Sequence, residues 1–212
     1  MLGLIPARFG SERLPRKNLA DLGGKPLIHW TIHAAIESQA FDDLAVSTDS
    51  VEIAGICVGT GARVIKRPED LAQANTPMMP VVQHAFDKSN GGFDIVVLLQ
   101  PTSPFRSAED INVSIELLKR TGGDAVISVS TPQPDFCFER GHAQRLRPAR
   151  NIVVANGALY LITKDHLKVG DWYNGLTYAY EMPPNRSIDI DTEMDLTIAR
   201  AMVKNGPFGS SD

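Results

Sequence analysis

Short, uniformly apolar runs alternate with longer stretches of helical periodicity along this chain. The apolar runs fall at Leu2–Pro6, residues 44–47, residues 63–65, Ile95–Leu99 and residues 125–129. A strand with one wet face alternates polar and apolar side chains. These runs do not, so they read as parallel strands covered on both faces. The stretches between them read as helices. Residues 26–38 begin with a proline, which suits a first helical turn. Residues 51–59 follow Ser50 as a cap, and residues 80–88 follow a proline-rich turn. Residues 108–120 follow Ser107, whose spacing to Asp110 makes a capping box. Strand alternating with helix predicts an α/β fold: a mostly parallel, Rossmann-like sheet with helices on both faces and right-handed crossovers.

The alternation weakens after residue 130. The stretch "STPQPDFCFERGHAQRLRPARN" carries three prolines and reads as extended or hairpin structure. Residues 157–162 and Thr177–Glu181 read as further strands. Thr192, with Asp195 three residues on, caps a final helix at residues 193–204. The whole chain, 1–212, is expected to be one domain, with residues 131–186 forming a small β-rich excursion within it. Residues 205–212 read as a disordered tail.

Composition narrows the partners. The 212 residues are 43% hydrophobic and carry a net charge of −4, so no overall basic balance favours nucleic acid. The two cysteines, Cys57 and Cys137, stand in no metal-ligand spacing. Met1 runs straight into strand-like residues without a charged segment and apolar core, so no signal peptide is expected. No apolar run reaches the roughly 18 residues of a membrane span. These features predict a soluble, cytoplasmic protein with no membrane or nucleic-acid partner.

The chemistry is expected where loops leave the carboxyl ends of parallel strands. The first such loop, "ARFGSERLPRKN", holds Arg8, Arg13, Arg16 and Lys17. Gly10 and Ser11 allow a tight turn with exposed N–H groups. Arginine meets phosphate oxygens bidentately and lysine as a point charge, so the loop suits a polyphosphate. Neither G-x-x-x-x-G-K-[ST] nor G-x-G-x-x-G is present. A second constellation is "SIDIDTEMD", residues 187–195. In an extended segment Asp189 and Asp191 face the same side, and such a pair suits Mg²⁺ completed by substrate phosphates. The bland alternative is that Asp191 merely helps cap the last helix and Asp189 is solvated. A third is "LLQPTSPFR", residues 98–106, where Gln100, Thr102 and Ser103 form a polar rim for a sugar or base. There the alternative is a simple proline-rich turn.

Together these stretches resemble the acylneuraminate cytidylyltransferase family, which includes relatives acting on legionaminic and pseudaminic acids. "IPARFGSERLPRKN" resembles the family's first signature. "STD" (47–49), "RPEDLA" (67–72), "LLQPTSPFR", "NGALYLI" (156–162) and "SIDIDTEMDL" follow in the family's order over nearly the whole chain. The resemblance implies a nucleotidyltransferase sheet, an excursion that serves dimerisation, and a homodimer. It implies a Mg²⁺-dependent reaction in which CTP and a nine-carbon sugar acid give CMP-sugar and pyrophosphate. The same reaction on legionaminic, pseudaminic or another ulosonic acid is the alternative; a sugar-nucleotide-binding protein impaired in catalysis is a more distant one. By this resemblance Ala7, Arg8, Gly10, Ser11, Arg13, Lys17, Asn18 and Arg67 bind the nucleotide. Gln100, Thr102, Ser103, Arg150, Asn156 and Tyr160 bind the sugar. Asp189 and Asp191 hold the metal and, with Arg8 and Lys17, carry the catalysis. The chain departs from the family pattern at Glu12, where lysine is common, and at residues 76–79.

Overall fold

The computed structural model describes residues 1–89, 92–131 and 153–206. Strand β1 (Leu2–Pro6) is buried along its full length. It lies between β4 (Asp43–Thr48) and β6 (Ile95–Leu99), parallel to both. Among the described residues the sheet has seven strands, in the order β5-β4-β1-β6-β8-β7-β9. Here β5 is Arg63–Lys66, β7 Ala125–Ser130, β8 Val154–Thr163 and β9 Thr177–Glu181. Strand β8 is the antiparallel member, paired against both β6 and β7, while β9 pairs parallel to β7. A two-stranded hairpin, β2 (Asp21–Leu22) with β3 (Lys25–Pro26), lies apart from the sheet.

The apolar runs are continuous because both faces are covered. Ile5, Val46, Val97, Leu99 and Leu161 point to one face. There they meet α1 (Leu27–Glu37), α2 (Val51–Cys57) and α4 (Ala108–Thr121). Leu2, Leu4, Ala45, Val96 and Ile162 point to the other, against α3 (Met78–Lys88) and α5 (Lys164–Leu167). This is the expected three-layer arrangement. A third cluster joins Leu14, Leu22, Phe105, Ile190 and Leu196. It packs α6 (Glu193–Asn205) against the hairpin and against the loops that carry the candidate residues. No helix among the described residues is long and apolar enough to cross a membrane.

The capping residues fall where the spacing places them. Ser50 accepts from the Ile53 N–H, and Ser107/Asp110 and Thr192/Asp195 both form reciprocal capping boxes. Helix α3 starts at Met78, two residues before the expected start, with Pro77 at its N-cap and Pro80 in its first turn. Proline is tolerated there because those N–H groups have no intrahelical partner. Part of the stretch expected to leave the sheet does not do so. Residues 154–163 and 177–181 are β8 and β9 of the main sheet. The rest of the expected excursion, residues 132–152, lies outside the described residues, as does nearly all of the expected tail.

Strand β8 is irregular in a way that matters. Ile127 pairs with Tyr160 but Val129 pairs with Ala155, so two steps on β7 span five on β8. The bulge holds Asn156 and Gly157, and Gly157 has φ +80°. Because β8 runs antiparallel, this early part of it lies at the same sheet edge as the ends of β1, β4 and β6.

Candidate active site

The loop after β1 is fixed at several points. The Ala7 N–H donates to the Ser47 carbonyl at 2.9 Å, extending the pairing with β4 by one residue. The Phe9 N–H donates to Asp49 Oδ1 at 2.8 Å. Asn18 Nδ2 donates to the Arg8 carbonyl at 2.8 Å, folding the loop back on itself. The chain then turns at Arg16, whose φ of 54° is left-handed. That turn sends the Arg16 guanidinium away, onto Glu52 of α2 and over the Phe9 ring. Arg8 remains at the cleft beside Arg67, with no ion pair among the described residues. Glu12 is exposed.

One cleft at this sheet edge is lined by Arg8, Gly10, Ser11, Lys17, Asn18, Arg67, Gln100 and Thr102, with Pro6, Met78 and Pro101. Three expected groups, the first loop, Arg67 and the rim after β6, therefore share one wall system. Arg67 is only 4% exposed. Its Nε and Nη2 bond Ser47 Oγ and the Ser47 carbonyl at 3.1 and 2.8 Å. Burial lowers its pKa to about 10, Arg8 adds to that, and Asp49 opposes it. It stays cationic at neutral pH, so the cleft floor is positive.

The carboxylate pair meets this loop. Lys17 Nζ donates to Asp191 Oδ1 at 2.7 Å and Arg13 Nη2 to Asp191 Oδ2 at 2.6 Å. Partial burial works against the Asp191 charge, but Lys17 and Arg13 outweigh it and hold the carboxyl below its ordinary range. Asp189 is the opposite case. The residue keeps an exposed face, yet surrounding protein atoms, then the nearby Asp191 charge, raise its carboxyl above the usual range. A hydrogen bond from Thr102 and the Lys17 charge pull the other way. The two groups are thus pushed apart, as carboxylates with different roles commonly are.

The segment bearing the pair is tied down. The Ile190 N–H donates to the Thr102 carbonyl at 2.7 Å, so the rim and the pair move together. Ser187 Oγ accepts from Asn156 Nδ2 at 3.0 Å. A Cβ added to Gly157 would lie 3.3 Å from Asp189 Oδ2, so β8 approaches the carboxylate with backbone only. Arg186 makes a bidentate pair with the fully buried Asp110, at 2.9 and 2.8 Å, and Tyr180 adds a hydroxyl bond to the same carboxyl.

Several expected sugar ligands occupy other places. Ser103 is fully buried, with its hydroxyl 3.4 Å from the Asn156 carbonyl. Asn156 is 5% exposed and its amide is committed within the protein. Oδ1 accepts from Ser128 Oγ and the Ala158 N–H, and Nδ2 donates to the Val129 carbonyl and Ser187 Oγ. Both residues build the wall rather than face the cleft. Tyr160, on β8, packs against Trp172 with ring centroids 5.4 Å apart and the planes tilted by 57°; burial, then the charges of Tyr173 and Asp189, raise its pKa. Arg150 lies outside the described residues. Other contributors carry only weak local signals: Asp49 as a loop anchor, Met78 in the cleft lining, Gly157, and Arg106. Arg106 is fully enclosed, with Nε on the Ala158 carbonyl at 3.0 Å and Nη2 on the Gln100 carbonyl at 2.6 Å.

The donor set fits a divalent ion only in part. Among the described residues no cluster of three or more His, Cys, Asp or Glu could hold a metal by itself. Two carboxylates beside a cationic cleft match Mg²⁺, which takes one or two carboxylates and completes its shell with water and phosphate oxygens.

Residues 2–145 match the family profile described as cytidylyltransferase. CMP-N,N'-diacetyllegionaminic acid synthase of Legionella pneumophila is 36% identical over 96% of this chain and 96% of its own length. N-acylneuraminate cytidylyltransferase A of Danio rerio is 32% identical over 97% of this chain but 51% of its own length. The Escherichia coli N-acylneuraminate cytidylyltransferase is 31% identical over 94% and 51%. The chain thus spans about half the length of these last two relatives. Among solved structures, a CTP complex of CMP:2-keto-3-deoxy-manno-octonic acid synthetase superposes with a TM-score of 0.72 at 18% identity, covering 96% of this chain and 98% of that one. A 4-diphosphocytidyl-2C-methyl-D-erythritol synthase from Anaerococcus prevotii gives 0.71 at 11% identity, covering 96% and 98%. At these identities the superpositions speak for the fold.

Proposed function

The chain belongs to the cytidylyltransferase family, and from that premise we propose that it transfers CMP from CTP to an acidic nine-carbon sugar, releasing pyrophosphate. The observation that carries the proposal is the junction of Lys17 and Arg13 with Asp191. It joins the cationic loop that lines the cleft to the carboxylate pair, though 174 and 178 residues separate the partners. The named activities of the relatives supply the nucleotide and the sugar class.

In this reading Arg8, Arg13, Lys17 and the Gly10–Ser11 backbone neutralise and orient the triphosphate. Arg67, with Asn18 shaping the loop, forms the nucleoside side. Gln100 and Thr102 face the sugar acid across the cleft, and Tyr160 flanks that side. The C2 hydroxyl oxygen of the sugar attacks the α-phosphorus and pyrophosphate leaves in line. Such transfers depend mainly on positioning and electrostatics. Mg²⁺ held by Asp189 and Asp191 would supply charge neutralisation on the phosphates. The protein would act as a homodimer in the cytoplasm, where CTP is made.

The test is pyrophosphate release from CTP with Mg²⁺ and a panel of N-acetylneuraminate, N,N'-diacetyllegionaminate, pseudaminate and an eight-carbon ulosonic acid. Release is expected with CTP and one or more nine-carbon acids. Release with UTP or ATP instead of CTP would refute the cytidylyl assignment. Asp191→Asn should cost several kcal/mol of transition-state stabilisation, the order expected for a lost metal clamp. Full Mg²⁺-dependent activity in that variant would remove Asp191 from the metal site.

A further inference from the structure

Lys17 faces two ways. It lines the cleft, and its ammonium bonds Asp191 Oδ1. Arg13 bonds the other oxygen of the same carboxylate. Both Asp191 oxygens are therefore held by cations of the phosphate loop. The inference below rests on the proposed function, in which those cations serve the triphosphate and the carboxylates serve the metal.

Without nucleotide those two duties conflict. A divalent ion approaching Asp191 meets an ammonium and a guanidinium already on its oxygens, and like charges this close are poorly screened. A triphosphate removes the conflict in two ways. Its oxygens draw Lys17 and Arg13 as stronger anionic acceptors. It also brings the oxygen ligands that a two-carboxylate site lacks. The two cations are differently placed for this exchange. The Lys17 side chain is 14% exposed and that of Arg13 66%. The Lys17 backbone is fixed in the 3₁₀ turn Lys17–Leu19, so only its ammonium need swing, whereas Arg13 is free to leave. Asp189 carries no ion pair among the described residues and is steadied by Thr102, so it stands ready as the second ligand.

We propose that Arg13 and Lys17 close the carboxylate pair to free divalent cations and release Asp191 only when a triphosphate arrives. The site then takes the metal–nucleotide complex as a unit instead of binding metal first.

The experiment uses Mn²⁺ alone as a spin-bearing probe, titrated into the purified protein without nucleotide and followed by electron paramagnetic resonance. Arg13→Gln is expected to bind Mn²⁺ about tenfold more tightly than wild type, the scale of one partly screened charge. Arg13→Lys, which keeps the charge, should bind as weakly as wild type. Arg13→Gln/Asp191→Asn should lose the gain. Equal or weaker Mn²⁺ binding by Arg13→Gln overturns the proposal. A second titration, with CTP present, tests the underlying metal site by water-proton relaxation. Its enhancement should fall in Asp189→Asn and Asp191→Asn. An enhancement that neither variant changes removes the metal site and the inference with it. A normal response there, with no gain in Arg13→Gln, removes the exclusion alone.

Discussion

Single residues decide how near the backbone comes to the carboxylate pair. Gly157 combines φ +80° with a backbone approach to Asp189 that leaves an added Cβ 3.3 Å from Oδ2 and 3.5 Å from Ser103 Oγ. Gly157→Ala should cost about 1–2 kcal/mol for the left-handed backbone and lower kcat by displacing Asp189. Urea midpoints and steady-state rates measure the two effects, and unchanged values for both would contradict the contact. The four cations of the first loop show what sequence resolves at this scale. The place of their loop at the cleft was legible because it follows the first parallel strand. Their division of labour was not: the left-handed turn at Arg16 sends one guanidinium to Glu52, and no local pattern announces that turn. Asn156 and Ser103 were expected as sugar ligands and are instead buried in the wall. Their burial depends on the β8 bulge, which only pairing with β7 reveals.

At the scale of elements, the start of α4 does more than begin a helix. Its capping box shares Asp110 with Arg186 and Tyr180, so a helix terminus anchors the turn that leads into the carboxylate pair. Ser107→Ala should cost about 1 kcal/mol, as cap losses do. Asp110→Asn should cost about 2 kcal/mol, because the partly exposed Arg186 and the Tyr180 hydroxyl lose their charge-assisted bonds to a buried carboxylate. Burial pushes the Asp110 carboxyl up, but its bonds from Arg186, Ser107 and Tyr180 outweigh that and hold it below the ordinary value. A depressed folded pKa gives stability that is present above the unfolded pKa and is lost as pH falls through the folded one. The wild-type protein should thus lose stability in a window from about pH 4 downward. In Asp110→Asn that component should be absent, as acid titrations of the urea midpoint would show. Caps of this kind were readable in advance because they depend on a three-residue spacing. The start of α3 was misplaced by two residues because proline is acceptable at several positions of a first turn.

For the whole molecule, the cleft is assembled from strand ends far apart in sequence, so ligand binding should stabilise the entire fold. CTP at about 100 times its dissociation constant should add about 2.7 kcal/mol, visible as a rise of several degrees in Tm. UTP and ATP at the same concentration should give less, and an equal shift with all three would argue against a cytidine-selective cleft. The parallel half of the sheet was legible from its doubly covered apolar runs. The reversed β8 and the return of β9 to the sheet were not, because an apolar run carries no sign of its direction and periodicity cannot say which strand is its neighbour.

The contact between Arg13 and Asp191 also has a meaning in time. The residues are 178 apart in sequence, and a ribosome adds roughly 5–20 residues each second. The cationic loop therefore leaves the ribosome on the order of ten seconds or more before its carboxylate partner is made. During synthesis Arg13 and Lys17 lack that partner beside a polyanionic RNA machine. Helix α6 follows directly on the segment that closes this contact, so the emergence of that segment is also the step that withdraws those charges from their surroundings.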